Sequence, residues 1–327
     1  QVLGATPVPV LQGHTVNHLA CDAQNSIWVS TNHGITRIAA KAPNEPLDGP
    51  WGFTYVHSVQ AIQAVMVDSR GWLRSATDDM PYAIDTQDPE LRVHAMVEVG
   101  AKTDPNAREE GRPGNSALED TVRGRLYNVH NRGVMEVDPA TNELRTLFEI
   151  SHEAGIVTGH GALVDANGAL WLPTRAGDLT RIDPQKRRVT SIQAEAPEQR
   201  AFMPYVKCVF RDRNGLIWLG LSGYGLLTYD PRIERFNVMP GPSVRYMVPG
   251  NNGKVVLCEG NFMSQYDPKQ RAYDWRIGIQ EVRARTRFTE GFFGNDAVLQ
   301  DRSGAYWAGK GGLVRYGKDD VLEDADS

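Results

Sequence analysis

The sequence predicts an all-β protein: a seven-bladed β-propeller of four-stranded blades, a single domain spanning residues 1–327. Three observations carry this expectation. A unit recurs seven times at a spacing of roughly 37–52 residues, the signature of stacked supersecondary repeats. In four of the units a Trp stands six residues after an Asp: Asp22/Trp28, Asp165/Trp171, Asp212/Trp218 and Asp301/Trp307. The 32 Gly and 19 Pro are scattered along the whole chain, which suits many short strands joined by turns.

The four clearest units are "CDAQNSIWVSTNHGITRIAA" (21–40), "VDANGALWLPTRAGDLTRIDP" (164–184), "RDRNGLIWLGLSGYGLLTYDP" (211–231) and "QDRSGAYWAGKGGLVRYG" (300–317). Weaker copies fill the gaps: "VDSRGWLRSATDDMPYAID" (67–85), "DTVRGRLYNVHNRGVMEVDP" (120–139) and "PGNNGKVVLCEGNFMSQYDP" (249–268). Within a unit an apolar strand precedes the Asp, and the Trp-bearing strand follows its Gly turn. A third strand ends in Tyr-Asp-Pro or Ile-Asp-Pro, and a fourth follows, as in "RFNVM" (235–239). Four strands with a fixed Trp make a propeller blade. Tandem β-sandwiches are the rival, but these units fall short of the roughly 100 residues such a domain needs.

The last unit ends after its third strand. The extended segment 5–13, "ATPVPVLQG", is therefore expected to supply the missing outer strand of blade seven and close the ring, hiding edges an open sheet would expose. Trp28, Trp171, Trp218 and Trp307 recur with the repeat and are assigned to the core. Cys21, Cys208 and Cys258 fall in predicted strands without metal-ligand spacing, and read as small buried hydrophobes.

Composition excludes several classes. The chain is 41% hydrophobic and 23% charged, with a formal net charge of −5. That charge gives no general attraction to nucleic acid or to anionic membranes, and no run of 18 apolar residues is present to insert in a bilayer. The chain begins at Gln1, which fits a mature periplasmic or secreted protein or a trimmed one. No G-x-S-x-G, H-E-x-x-H or Gly-rich phosphate loop ahead of a helix occurs.

The pattern Asp-x-x-Gly-x-(apolar)-Trp-(apolar)-Gly-(Thr)-x-x-Gly-(Leu)-x-x-(Tyr/Ile)-Asp-Pro resembles the two-component regulator propeller repeat. That resemblance implies a periplasmic sensor region of the kind found in hybrid histidine kinases, many of which recognise oligosaccharides. It also implies C-terminal signalling domains in a longer chain. More loosely, the pattern is similar to the streptogramin (virginiamycin B) lyase propellers, which use a His and a metal-binding Glu pair in the later blades. Here Glu259 stands in the sixth unit and no His follows His160.

A propeller offers ligands the mouth of its central channel. Counting back five residues from the repeat Asp, or its equivalent, gives one residue per blade: Asn17, Gln63, Ser116, His160, Lys207, Arg245 and Asp296. All are polar among largely apolar neighbours, although an inner strand lining a wet channel is polar somewhere for structural reasons alone. Three residues after the Trp the repeat prefers a turn-stabilising Thr, kept as Thr31, Thr77 and Thr174. His130, Leu221, Glu259 and Lys310 replace it elsewhere.

Blades four to seven would thus gather His160, Arg175, Lys207, Tyr224, Arg245, Glu259 and Lys310 on one side of the mouth. Clustered Arg and Lys favour a carboxylate, sulfate or phosphate. The longer connections 99–115 and 277–295 should project from the same face, the second carrying Arg283, Arg285, Arg287, Phe292 and Phe293.

Three readings follow. The first is a binding or sensor module for an anionic saccharide or small organic anion, with Asn17, Gln63, Arg175, Lys207, Arg245, Asp296 and Lys310 as ligand contacts. The second is a lyase acting on a uronic-acid polymer or a lactone. His160 or His130 would move the proton, Tyr224 would serve as acid, and Glu259 would hold a divalent cation such as Mg or Ca. The third is a protein-interaction platform built on 277–295. No other cofactor is implied.

Overall fold

The computed structural model describes residues 6–7, 11, 15–40, 52–57, 62–77, 81–99, 114–130, 133–149, 162–174, 178–194, 197–202, 205–212, 214–250, 253–259, 262–278, 297–309 and 313–316. It is an all-β propeller of four-stranded blades. Strand β1 (Thr6–Pro7) comes first. The first sheet then holds β2 (Val16–Cys21), β3 (Ile27–Thr31), β4 (Gly34–Ile38) and β5 (Phe53–His57). The second holds β6 (Ile62–Val67), β7 (Trp72–Thr77), β8 (Tyr82–Asp85) and β9 (Val93–Ala95).

After β10 (Val97–Glu98) the third sheet is formed by β11 (Gly114–Asp120), β12 (Arg125–His130), β13 (Gly133–Val137) and β14 (Glu143–Glu149). The fourth has β15 (Leu163–Val164), β16 (Leu170–Pro173), β17 (Leu179–Asp183) and β18 (Arg188–Ile192). A short helix, α1 (Pro197–Phe202), precedes the fifth: β19 (Val206–Arg211), β20 (Ile217–Leu221), β21 (Gly225–Asp230) and β22 (Arg235–Met239). The sixth has β23 (Val244–Pro249), β24 (Val255–Glu259), β25 (Phe262–Asp267) and β26 (Ala272–Gly278). Last come β27 (Ala297–Gln300), β28 (Tyr306–Gly309) and β29 (Leu313–Tyr316).

Consecutive strands pair antiparallel within each of the seven sheets. The last sheet has β1 as its outer member, with Thr6 opposite Arg315 and Pro7 opposite Val314. The first strands of the sheets, β2, β6, β11, β15, β19, β23 and β27, lie side by side in that order, and β27 lies beside β2.

The apolar core follows from that arrangement. Side chains alternate between the two faces of a strand, so each sheet is greasy on both faces and must be covered on both. Seven buried clusters result, one between each pair of successive sheets. Trp28 and Ile35 meet Val65 and Ile84; Ala83 and Met96 meet Leu126 and Met135. Val129 and Val134 meet Leu170 and Leu172, and Trp171 and Leu179 meet Leu219 and Tyr229. Trp218 and Leu226 meet Leu257 and Tyr266; Cys258 and Trp275 meet Val298 and Tyr306. The seventh cluster joins the last sheet to the first, Trp307 and Leu313 against Leu19 and Val29.

The spacing of Asp and Trp has a local cause. The Asp closes the turn between the first and second strands of its sheet. Asp212 Oδ1 accepts the Asn214 and Leu216 amides, at 2.8 and 3.0 Å, and its Oδ2 accepts Trp218 Nε1–H at 3.1 Å. Asp22, Asp165 and Asp301 repeat this with Trp28, Trp171 and Trp307 at 2.8–2.9 Å. One buried carboxylate therefore satisfies a turn and the one polar atom of a core indole, which must find a partner once buried. In the second sheet Arg74 stands six residues after Asp68 and takes the indole's place, Nε to Oδ2 at 2.9 Å.

The Asp-Pro pairs act at the other hairpin. Asp183 accepts the Gln185 and Lys186 amides, and Asp267 those of Lys269 and Gln270. Four residues after the Asp the chain turns through positive φ at Asn142, Arg187, Glu234 and Arg271.

Two features depart from the sequence expectation. The chain leaving β9 does not loop free: β10 runs parallel to β14, Val97 opposite Glu143, and gives the third sheet a fifth strand. A helix, α1, interrupts the connection between the fourth and fifth sheets.

Candidate functional site

Five of the seven first strands carry the same irregularity. Register shifts between Val16 and His18, between Ile62 and Ala64, between Gly114 and Ser116, between Val206 and Cys208, and between Val244 and Tyr246. The residue left over is Asn17, Gln63, Asn115, Lys207 or Arg245. A bulge leaves one residue out of the ladder and re-aims its side chain. The flanking residues Val206 and Cys208 are buried while Lys207 is exposed, and Val244 and Tyr246 are buried while Arg245 is exposed. The polar position five residues before the Asp is thus the bulge position. In the third sheet it belongs to Asn115; Ser116 is a ladder residue opposite Val129 and is buried. The expectation for Ser116 is corrected by one position: the repeat Asp of that unit is Asp120, five residues after Asn115.

The bulges of the fifth and sixth sheets are drawn together by two glycines. A Cβ on Gly220 would stand 2.8–2.9 Å from Val244 atoms, and one on Gly225, where φ is +84°, would stand 2.4 Å from Gly241 N and Met239 O. Only glycine permits this approach. It seats β20 and the turn after it against the 240–244 segment, where Gly225 forms a parallel bridge with Ser243. Lys207 and Arg245 therefore leave neighbouring strands at the same end of the propeller.

Tyr224 lies in that turn, 41% exposed. Its ring packs against Phe202 of α1 and against Tyr205, with centroids 5.1 and 4.9 Å apart. Tyr205 is 45% exposed and immediately precedes the Lys207 bulge. The result is an aromatic ledge beside a cation. Neither Tyr205 nor Phe202 was visible as a site residue in the sequence, because the ledge depends on a connection between sheets.

The position three residues after the Trp ends the second strand, opposite the residue before the bulge. Thr31 there accepts the His33 amide and donates to Gly34 O, at 3.1 and 3.2 Å, and Thr174 bonds Asp178 in the same way. His130 at this place is buried, 2% exposed, opposite Gly114 and Gly133.

Glu259 is 1% exposed. Ser264 Oγ donates to its Oε2 and Tyr273 OH to its Oε1, both at 2.7 Å, and Arg276 Nε lies 3.5 Å from Oε2. Burial, and then the carboxylate it donates to, hold the Tyr273 hydroxyl well above its ordinary pKa. A divalent cation does not fit here. Both oxygens already take protein donors, a guanidinium stands beside them, and no group of three or more His, Cys, Asp and Glu gathers among the described residues. The expectation that Glu259 holds Mg or Ca gains no support from these contacts.

Gln63 lies in β6, with its backbone at the bulge. His160, Arg175, Asp296 and Lys310 lie outside the described residues, as do nearly all of 99–115 and 277–295.

No family model matches the chain, and no curated protein matches it. Solved structures do match in fold. The extracellular domain assigned to the hybrid two-component system BT4673 of B. thetaiotaomicron is 16% identical, with a TM-score of 0.70 over 100% of this chain and 44% of that one. The corresponding domain of BT3049 from the same organism is also 16% identical, at 0.68 over 97% and 42%. Virginiamycin B lyase from Staphylococcus aureus is 11% identical, at 0.69 over 96% and 98%. This chain shares their propeller fold. It spans less than half the length of the two extracellular domains, and no helix among the described residues is long and apolar enough to cross a membrane.

Proposed function

We propose that the chain is an extracytoplasmic, periplasmic or secreted, sensor propeller that binds an anionic saccharide or small organic anion at the end where the first strands begin. The observation that carries the reading is the repeated bulge, which presents Lys207 and Arg245 from neighbouring strands beside the Tyr205–Tyr224 ledge. Two cations favour an anionic group. Exposed tyrosine rings offer an apolar face to a sugar ring while their hydroxyls stay wet. The fold likeness to extracellular domains of two-component systems supports a sensing role, with signalling domains in a longer chain.

In the same reading the seven sheets are the seven blades of one closed ring, β1 being the closing strand. The cluster joining the last sheet to the first supports it, and so does the Arg302 amide, which donates to Asn25 Oδ1 at 3.0 Å. Asn17 and Gln63 stand at bulges of that ring, and Arg175, Asp296 and Lys310 are kept as ligand contacts on the sequence reading alone.

The lyase alternative draws less support, since His130 is buried. A panel of acidic oligosaccharides and their neutral counterparts separates the readings. Thermal stabilisation by the acidic members alone, without ultraviolet absorbance from an unsaturated uronate, supports the sensor. A rise in that absorbance would favour the lyase, and stabilisation by neutral members alone would contradict the anion assignment.

A further inference from the structure

Resting on that reading, we propose that Arg276 is a preset clamp for a ligand carboxylate, held by Glu259 and Phe262. The carboxylate it would take is that of a uronic-acid type sugar.

Arg276 stands on β26 opposite Ser264. Its guanidinium carbon lies 4.2 Å from the centroid of the Phe262 ring and 5.8 Å from that of Tyr273. Among the described residues its one acidic neighbour is Glu259, approached through Nε at 3.5 Å. A guanidinium is planar, and the edge that turns Nε to Glu259 shares one terminal amine with the neighbouring edge, where the two terminal amines form an end-on fork. The Arg276 side chain is 39% exposed and the Phe262 residue 37%, so the pair is partly open to solvent with the guanidinium laid over one face of the ring.

A guanidinium that serves only to neutralise a buried acid would spend its two-pronged edge on it, the geometry that binds carboxylate best. Here the acid is already served by Ser264 and Tyr273, and among the described residues no partner takes the fork. Glu259 thus acts as a post that positions the arginine, which explains a buried carboxylate in place of the repeat's Thr. The location fits the mouth: Glu259 pairs with Val244, next to the Arg245 bulge, and Phe262 pairs with Glu259. A sugar carboxylate on the fork would bring the pyranose alongside Phe262.

The test follows the Arg276 Nε–H signal of the 15N-labelled protein, assigned with Arg276→Lys, during titration with D-galacturonate, D-glucuronate and oligogalacturonate, and with their methyl esters. The acids are expected to shift the signal and the esters to leave it unmoved. Arg276→Lys should weaken the acids about tenfold and leave ester binding unchanged. Glu259→Gln, with Phe262→Leu as the milder variant where it fails to fold, should release the ring and weaken acid binding in the same direction. If the acids bind and perturb Lys207 and Arg245 but never Arg276, the clamp is overturned while the mouth reading stands. If no acid binds anywhere on the protein, both fall.

Discussion

The Tyr246 hydroxyl meets His18 Nε2 across the inside of the propeller, joining the first strands of the first and sixth sheets. The rings stand edge to face, 5.3 Å apart at an angle of 82°. Between these two strands in the cyclic order lies β27, so the contact bridges past a neighbour. Burial pushes the His18 pKa down from 6.5 to about 4. The imidazole thus joins two sheets that are not neighbours, and it does so in its neutral form.

That tie makes stability depend on pH in a defined window. The unfolded chain protonates this imidazole near 6.5 and the folded chain only near 4. Between those values the unfolded state holds more protons, so stability is full above the window and falls as pH falls through it. The loss is on the order of 3 kcal/mol. Urea midpoints at neutral pH and inside the window should differ in the native protein and converge in His18→Gln. An equal pH dependence in the variant would remove His18 as the cause.

The Asp–Trp bond predicts a second cost. Asp212→Ala strips a turn of its acceptor and leaves the Trp218 indole N–H buried without a partner, which should destabilise by about 2–4 kcal/mol. Asp212→Asn retains an acceptor and should cost less. Chemical denaturation of both variants checks the order, and equal costs would mean that the carboxylate's acceptor role is unimportant.

In the second sheet the same carboxylate holds an arginine. Arg74→Ala leaves Asp68 buried and uncompensated and should cost about 3–5 kcal/mol. Arg74→Trp restores the repeat's own pairing and should recover a large part of that loss. Comparing the two midpoints is sufficient; a tryptophan variant no more stable than the alanine one would show that this sheet cannot accept the indole.

Arg187 sits at φ 49° four residues after Asp183, a conformation that costs a side chain with a Cβ but not glycine. Arg187→Gly is expected to be neutral or to stabilise by up to about 1 kcal/mol. Destabilisation of the folded protein would mean that the arginine makes a contact worth more than the relieved strain.

The propeller architecture was legible because its repeat is written in covalent spacing. An Asp and a Trp six residues apart must meet across a tight turn, and Tyr-Asp-Pro must end a strand. The polar bulge position was legible from the same spacing, and it slipped by one residue at Ser116 because the weak unit was counted from the residue after Asp120. The role of Glu259 was not legible. Its partners Ser264, Tyr273 and Arg276 come from two further strands, and register across strands is set by packing rather than spacing. Arg276 itself gave no sequence signal, since its neighbours Phe262 and Glu259 are distant in the chain. The aromatic ledge was hidden likewise, being assembled from a helix, a connection and a turn.

The most direct test is calorimetric titration of oligogalacturonate into the native protein and into Lys207→Ala/Arg245→Ala, at low and at raised ionic strength. An anion held at the mouth predicts binding that weakens with salt and falls at least about tenfold in the double variant, with the fold intact by circular dichroism. Binding of equal strength in both proteins, or binding indifferent to salt, would contradict an anion site built on these two bulges.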